Sequence, residues 1–186
     1  MIFILSGPSG SGKTTLRDRV LKDGLIKKKF VKSVSLCTRP RRTGEKEGRD
    51  YFFVTGEKFT DLKRSGKILE WTKYLGYYYG TKKALVEAAL KKGKNILLCL
   101  DFRGAKRVRK LYPKETLTIF VIPPSLQELR KRIQGRSFKT KNEEVKRRVR
   151  LVEAELRQAA YYDYSLRNIN LKQAVKRLKG IILQRI

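Results

Sequence analysis

The chain opens on Ile2-Phe3-Ile4-Leu5-Ser6 and runs straight into Gly7-Pro8-Ser9-Gly10-Ser11-Gly12-Lys13-Thr14. The first segment is an apolar run too short for a helix and suited to a strand buried on both faces. The second fits G-x-x-x-x-G-K-[ST] at every fixed position, and a helix pattern follows from about Lys13 to Lys22. Strand, glycine loop and helix, in that order, build a phosphate-binding loop. Its glycines let the backbone curl until N–H groups point inward at phosphate oxygens. The helix N-terminus adds the positive end of its dipole. Lys13 can reach β- and γ-phosphates, and the Thr14 hydroxyl can ligate Mg²⁺. The candidate triphosphate site is therefore Gly7, Pro8, Ser9, Gly10, Ser11, Gly12, Lys13, Thr14 and Thr15, with Thr14 the metal ligand. A glycine-rich turn with a chance lysine is the bland alternative. It does not account for the complete spacing together with both flanks. The loop alone does not say which reaction follows.

Outward from the loop, strand and helix patterns alternate. Asn95 to Leu100 and Thr116 to Ile122 are two further candidates for buried strands, the second rich in β-branched residues. Pro123-Pro124-Ser125 stops the latter, and Ser125 can cap a helix with Glu128 as its capping-box partner. Asn142 is another candidate cap, before a long helix to about Tyr161. Leu171, Ala174, Val175, Leu178, Ile181 and Ile182 share one helical face. This alternation predicts an α/β fold with a mostly parallel sheet covered on both faces. Residues 33–83 break the rhythm with short strand-like pieces (Tyr51 to Val54, Ile68 to Tyr74), many aromatics and several glycines. They predict an inserted lobe. Residues 126–150 depart again, with Arg and Lys on both sides of Gly135. There is no internal repeat and no low-complexity linker.

Composition narrows the class. At 186 residues the chain suits one domain, and its 40% hydrophobic content is too high for a disordered basic tail. The absence of His excludes a His-based triad or a His-ligated metal within the chain. Two Cys, Cys37 and Cys99, cannot make a four-thiolate zinc site, and a disulfide scaffold is not expected. No apolar run approaches the roughly 20 residues that span a bilayer. The N-terminus does not read as a signal peptide. The expectation is a soluble cytoplasmic protein. Lys plus Arg number 46 against 17 acids, a formal +29, which should attract polyanions. Charge alone suggests a nucleic acid.

The inserted lobe points elsewhere. It carries Ser33-Val34-Ser35, then Arg39, Arg41 and Arg42, then Gly48-Arg49-Asp50-Tyr51-Phe52-Phe53. Ile68-Leu69-Glu70-Trp71 and Tyr78-Tyr79-Gly80-Thr81 follow. In order and spacing these stretches resemble the guanylate kinase family, and the resemblance continues through Leu100-Asp101-Phe102-Arg103-Gly104 and Ile122-Pro123-Pro124-Ser125 to Gly135-Arg136. It implies a core of about 1–32, 84–125 and 150–186, a GMP-binding lobe of about 33–83, and a helical lid of about 126–149. It implies that Arg39, Arg42, Tyr51 and Tyr79 hold the GMP phosphate. Two planar guanidinium forks and two phenols around a dianion are chemically apt. Taken alone, the arginines would be solvated charge and the tyrosines lobe packing. Glu70 would read guanine, since a carboxylate accepts N1–H and the N2 amino group side by side, whereas adenine offers neither donor there. Ser35 and Thr81 would donate to O6. Asp101, after an apolar strand, would also contact the guanine nucleotide. The family's second acid, two residues earlier, is replaced by Cys99.

From the same resemblance, Arg136 and Arg148 in the lid, with Lys13 and Arg42, are the candidate catalytic cations. Arginines stabilise the charge that spreads over a transferring phosphoryl group. Asn168 falls where the family places an Asn near adenine, and Ile169 replaces the acid that usually follows. The implied reaction is Mg·ATP + GMP ⇌ ADP + GDP, with ATP and GMP as partners, no specific nucleic acid, no membrane, and a monomer or small homo-oligomer. The alternatives are a non-catalytic guanylate-kinase-like binding module and a nucleic-acid-associated basic protein. The complete phosphate loop speaks against the first, and the lack of any helix-turn-helix, zinc-finger or RNA-binding signature against the second.

Overall fold

A computed structural model describes residues 1–125, 127–129, 152 and 154–186. The core is a five-stranded, all-parallel sheet. Its strands are β1 (Ile2–Ser6), β2 (Phe30–Lys32), β7 (Asn95–Cys99), β8 (Thr116–Ile122) and β9 (Tyr164–Arg167), in the order β2-β7-β1-β8-β9. The central position of β1 follows from its composition. Ile2, Phe3, Ile4 and Leu5 have no exposed surface, and burying each such side chain contributes about 1.5–3 kcal/mol.

Successive residues of β1 feed opposite layers, as the two-residue period of a strand requires. Phe3 and Leu5 pack with Leu16 and Val20 of α1 (Lys13–Val20) and with Leu178 and Ile182 of the C-terminal helix Leu171–Leu183. Ile2 and Ile4 pack with Val86 and Ala89 of α4 (Lys83–Lys91) and Ala105 and Val108 of α5 (Phe102–Leu111). The C-terminal helix becomes α6 here. A shorter helix, α2 (Gly24–Lys29), is capped by Asp23, which accepts from the Leu25 N–H. Helices on both faces of a parallel sheet are the predicted class. Among the described residues no helix is long and apolar enough to cross a membrane.

The segment after β2 forms a separate four-stranded mixed sheet. It holds β3 (Leu36–Cys37), β4 (Phe52–Phe53), β5 (Ile68–Tyr74) and β6 (Tyr77–Lys82), in the order β4-β3-β6-β5, and helix α3 (Gly56–Arg64) lies between β4 and β5 in the chain. Its own small core is Leu36, Phe59 and Ile68. β5 and β6 form a hairpin that turns at Leu75 and Gly76, both at positive φ (51° and 88°). Two adjacent positive φ values match the right-handed twist of the strands. Ser125 caps its helix as predicted, its Oγ accepting from the Glu128 N–H at 3.1 Å. The helix expected up to about Tyr161 closes as a 3₁₀ turn, Gln158–Tyr161. Asn142 and the lid cations Arg136 and Arg148 lie outside the described residues.

Candidate active site

The phosphate loop joins β1 to α1 with Gly7, Gly10 and Gly12 at φ 130°, 86° and 94°. Two of these positions exclude a side chain on space as well as on φ. A Cβ on Gly7 would sit 2.4 Å from the Val121 carbonyl oxygen of β8, and one on Gly12 would sit 2.3 Å from Asn168 Nδ2. The loop is thus pressed onto the C-terminal ends of β8 and β9, where ligands of open parallel sheets gather. Asn168, 4% exposed, donates from Nδ2 to the Ser11 carbonyl at 2.8 Å. The structure therefore gives Asn168 a bracing bond to the loop. Lys13 Nζ donates to the carbonyls of Gly7 (2.6 Å) and Pro8 (2.8 Å), folding the side chain back over the loop. Thr14 and Thr15 are exposed in the first turn of α1.

The second half of the site is in the mixed sheet. Cross-strand pairing sets Glu70 of β5 opposite Thr81 of β6, and Thr81 Oγ1 donates to Glu70 Oε1 at 2.6 Å. Glu70 is 3% exposed and Thr81 fully buried. Burial, reinforced by the nearby charge of Asp101, pushes the Glu70 pKa up to about 7 against the pull of Thr81 and Arg107. The other oxygen, Oε2, faces α5: a Cβ on Gly104 would come within 2.6 Å of it. Asp101 caps α5, its Oδ1 accepting from the Gly104 N–H at 2.8 Å. Glu70, Thr81 and Asp101 are thereby brought together at the junction of the two sheets. Ser35 directly precedes Leu36, whose cross-strand partner Gly80 adjoins Thr81.

Arg39 is 7% exposed. Its guanidinium lies 5.1 Å from the Tyr51 ring centroid and 5.7 Å from that of Phe53. Tyr51 meets Tyr79 edge-on, with centroids 6.0 Å apart. Burial raises the pKa of both phenols, so they remain O–H donors across the physiological range. Arg42 is exposed. Three of the four residues expected at the GMP phosphate, Arg39, Tyr51 and Tyr79, therefore form one contact group.

Four residues of this region escaped sequence reasoning. Glu45 takes the Arg39 fork on both oxygens (2.7 and 2.5 Å) and also accepts from the Arg42 N–H at 2.9 Å. It fixes the orientation of Arg39 and the path of the loop. Gly104 admits α5 to Glu70. Tyr162 donates its hydroxyl to Ser6 Oγ at 2.7 Å, and burial pushes its pKa up to about 12. Glu155 lies within electrostatic reach of Lys13 and Asp101, and burial raises its pKa. No periodicity or spacing assigns these residues a partner, even for Gly104 within the stretch 100–104, because the partners are distant in sequence or peculiar to one loop. Both cysteines are free thiols. Among the described residues no group of three or more His, Cys, Asp or Glu could hold a metal ion. A cleft of about 550 Å³ between α1, β2 and the Arg49-Asp50 turn contains none of the predicted site residues.

Comparison with known proteins places this arrangement. The profile of the guanylate kinase family matches residues 1–185. The guanylate kinase of Bacillus subtilis (strain 168) is 40% identical over 183 residues, 98% of this chain and 88% of the relative. That of Wolbachia pipientis wMel is 37% identical over 182 residues, 98% and 89% of the two chains. Among solved structures, guanylate kinase from Anaplasma phagocytophilum superposes with a TM-score of 0.82 at 32% identity, covering 99% of this chain and 85% of that one. Shikimate kinase from Bacteroides thetaiotaomicron matches with a TM-score of 0.52 at 14% identity, covering 98% of each chain, a likeness of fold alone. A phosphate loop facing a mixed sheet that holds a buried Glu70–Thr81 pair, matched end to end by that profile, makes this chain a member of the guanylate kinase family.

Proposed function

We propose that the chain carries out ATP + GMP ⇌ ADP + GDP, with ATP on the phosphate loop and GMP in the lobe of about residues 33–83. The observation that carries the acceptor assignment is Glu70, a carboxylate 3% exposed that shares one oxygen with Thr81 and keeps acceptor capacity for a ligand. Guanine supplies two adjacent donors to match it. Ser35 and Thr81 complete the base site, Asp101 flanks it, and Arg39, Arg42, Tyr51 and Tyr79 take the GMP phosphate.

The chemistry asks little of the protein beyond placement and charge. An oxygen of the GMP phosphate attacks the γ-phosphorus of ATP. The bond from that phosphorus to the β–γ bridging oxygen breaks, and the electron pair leaves with ADP. The nucleophile is already an anion, so no imidazole base is needed. Lys13 exchanges its bonds to the Gly7 and Pro8 carbonyls for phosphate oxygens when ATP arrives. Arg42, with Arg136 and Arg148 of the lid segment of about 126–149, neutralises charge on the phosphoryl group in flight. Closing lobe and lid excludes water, so that GMP rather than water is the acceptor.

The donors present suit Mg²⁺. It prefers hard oxygens and takes few protein ligands beside phosphates and water, and the exposed Thr14 hydroxyl at the loop offers one such oxygen. When bound, Mg²⁺ would be held by the Thr14 hydroxyl and would offset the negative charge of the ATP phosphates. All assigned residues come from one chain, so a monomer suffices. A kinase using these two nucleotides belongs in the cytoplasm, where both are held.

A coupled ADP-release assay tests the reading. GMP is expected to support robust turnover and AMP none. Turnover with AMP but not with GMP or dGMP overturns it.

A further inference from the structure

Arg17 is a buried cation that none of the roles above uses. It lies four residues beyond Lys13 on α1, so the two side chains share a helix face. Its side chain is 9% exposed, rare for an arginine. Its partner is the adjacent Asp18, itself 42% exposed: Nε and Nη2 converge on the single oxygen Oδ1 at 3.0 and 2.9 Å. A guanidinium has five N–H donors. Those of Nη1 and the second of Nη2 have no protein partner among the described residues. They are not walled in, because the side-chain atoms both sealed and unpartnered there are Ser11 Oγ, Ser33 Oγ and Thr116 Oγ1. The groups close enough to act on the Arg17 charge include Cys99 at the end of β7 and Tyr51 in the lobe, and Cys99 in turn feels both Arg17 and Lys13. The guanidinium is thus within electrostatic reach of the tyrosine assigned to the GMP phosphate, and Asp18 and Asp50, the chain neighbours of the two residues, line one cleft.

Burying a cation is costly, and an ion pair through one oxygen of an exposed neighbour does not offset it. Free donors within electrostatic reach of Tyr51, one helix turn from Lys13, instead suit a phosphate. We propose that Arg17 is a further ligand of the acceptor phosphate: its unpaired N–H groups take an oxygen of GMP beside Arg39 and Tyr51. The proposal rests on the placement of GMP in the lobe. It gives one rigid helix a hold on both substrates, with Lys13 on the donor and Arg17 on the acceptor.

The test compares GMP with guanosine, which lacks the phosphate, by calorimetry on the full chain. Arg17→Met is expected to weaken GMP about 10-fold or more, the cost of one charge-assisted bond, and to leave guanosine within about twofold. Arg17→Lys, which keeps the charge and so the fold, should weaken GMP less, again with guanosine unchanged, and reads the same role if the Met variant does not fold. In steady state KM for GMP rises and KM for ATP holds. Equal loss for GMP and guanosine, no loss for either, or a rise confined to ATP overturns the role of Arg17. A wild-type chain that binds neither GMP nor guanosine overturns the lobe assignment itself, and Arg17 with it.

Discussion

In the proposed reaction Glu70 concentrates the specificity of the lobe in one carboxylate, and burial sets its terms. Its pKa of about 7 stands above the ordinary 4.5 because desolvation outweighs the Thr81 bond. Since the folded value lies above the unfolded one, ionising Glu70 costs stability. The cost is absent below the unfolded pKa and complete above about pH 7, where it reaches at most about 3 kcal/mol. Guanine binding demands the ionised form, since a protonated carboxyl offers one donor where two acceptors are wanted. Guanosine, which has no phosphate to titrate, isolates this effect: its affinity should fall as pH drops from about 8 to 5.5. Affinity that stays level over that range sinks the assignment. Glu70→Gln presents one donor to two donors and should lower kcat/KM for GMP roughly 10⁴-fold, the low end of the range for losing a site-specified hydrogen bond, with KM for ATP held. The same variant should melt above wild type at pH 8 and lose that advantage toward pH 5.

At the scale of elements, Asp101 does two jobs that substitution can separate. As N-cap of α5 it accepts from the Gly104 N–H at 2.8 Å, and as a charge it acts on Glu70, the proposed reader of the base. Asp101→Asn keeps a capping oxygen and should hold stability while weakening GMP use. Asp101→Ala should lose about 1 kcal/mol as well, the usual value of a cap. A chemical denaturation series read beside GMP kinetics checks both, and equal stability loss in the two variants would deny the cap its role. The elements themselves were legible unevenly. The spans Thr116–Ile122 and Ile68–Tyr74 match β8 and β5 end to end, because both are short stretches rich in apolar, β-branched or aromatic residues and bounded by turn residues. The loop motif located α1. Helix α3 was missed, since its nine residues bury only Phe59 and it sits among short strands whose aromatics dominate the pattern. The pairs that finish the site, Glu45 with Arg39 and Gly104 with Glu70, were illegible for another reason. Neither has a spacing that a helix or strand repeats, so they exist only once the lobe has closed on itself.

For the whole molecule the formal charge of +29 is the dominant physical fact. Even if every one of the 17 acids were paired, 29 of the 46 cations would lack a carboxylate. The assigned phosphate sites use Lys13, Arg39 and Arg42, with Arg17, Arg136 and Arg148 beside them, which leaves most of the excess as a field over the surface. Such a field pulls nucleotides in and pushes the fold apart at the same time. Salt separates the two consequences, because the Debye length shrinks from about 30 Å at 0.01 M to about 10 Å at 0.1 M. Raising NaCl from about 0.02 to 0.5 M should therefore raise Tm by several degrees as self-repulsion is screened. Over the same range kcat/KM for GMP should fall as steering and phosphate contacts weaken. Retention on duplex DNA should vanish with salt and show no sequence preference, since counterion release alone drives it. A Tm that falls with salt would mean that the ion pairs of the fold, such as Lys179–Asp23 and Arg109–Asp163, outweigh the repulsion of the excess cations.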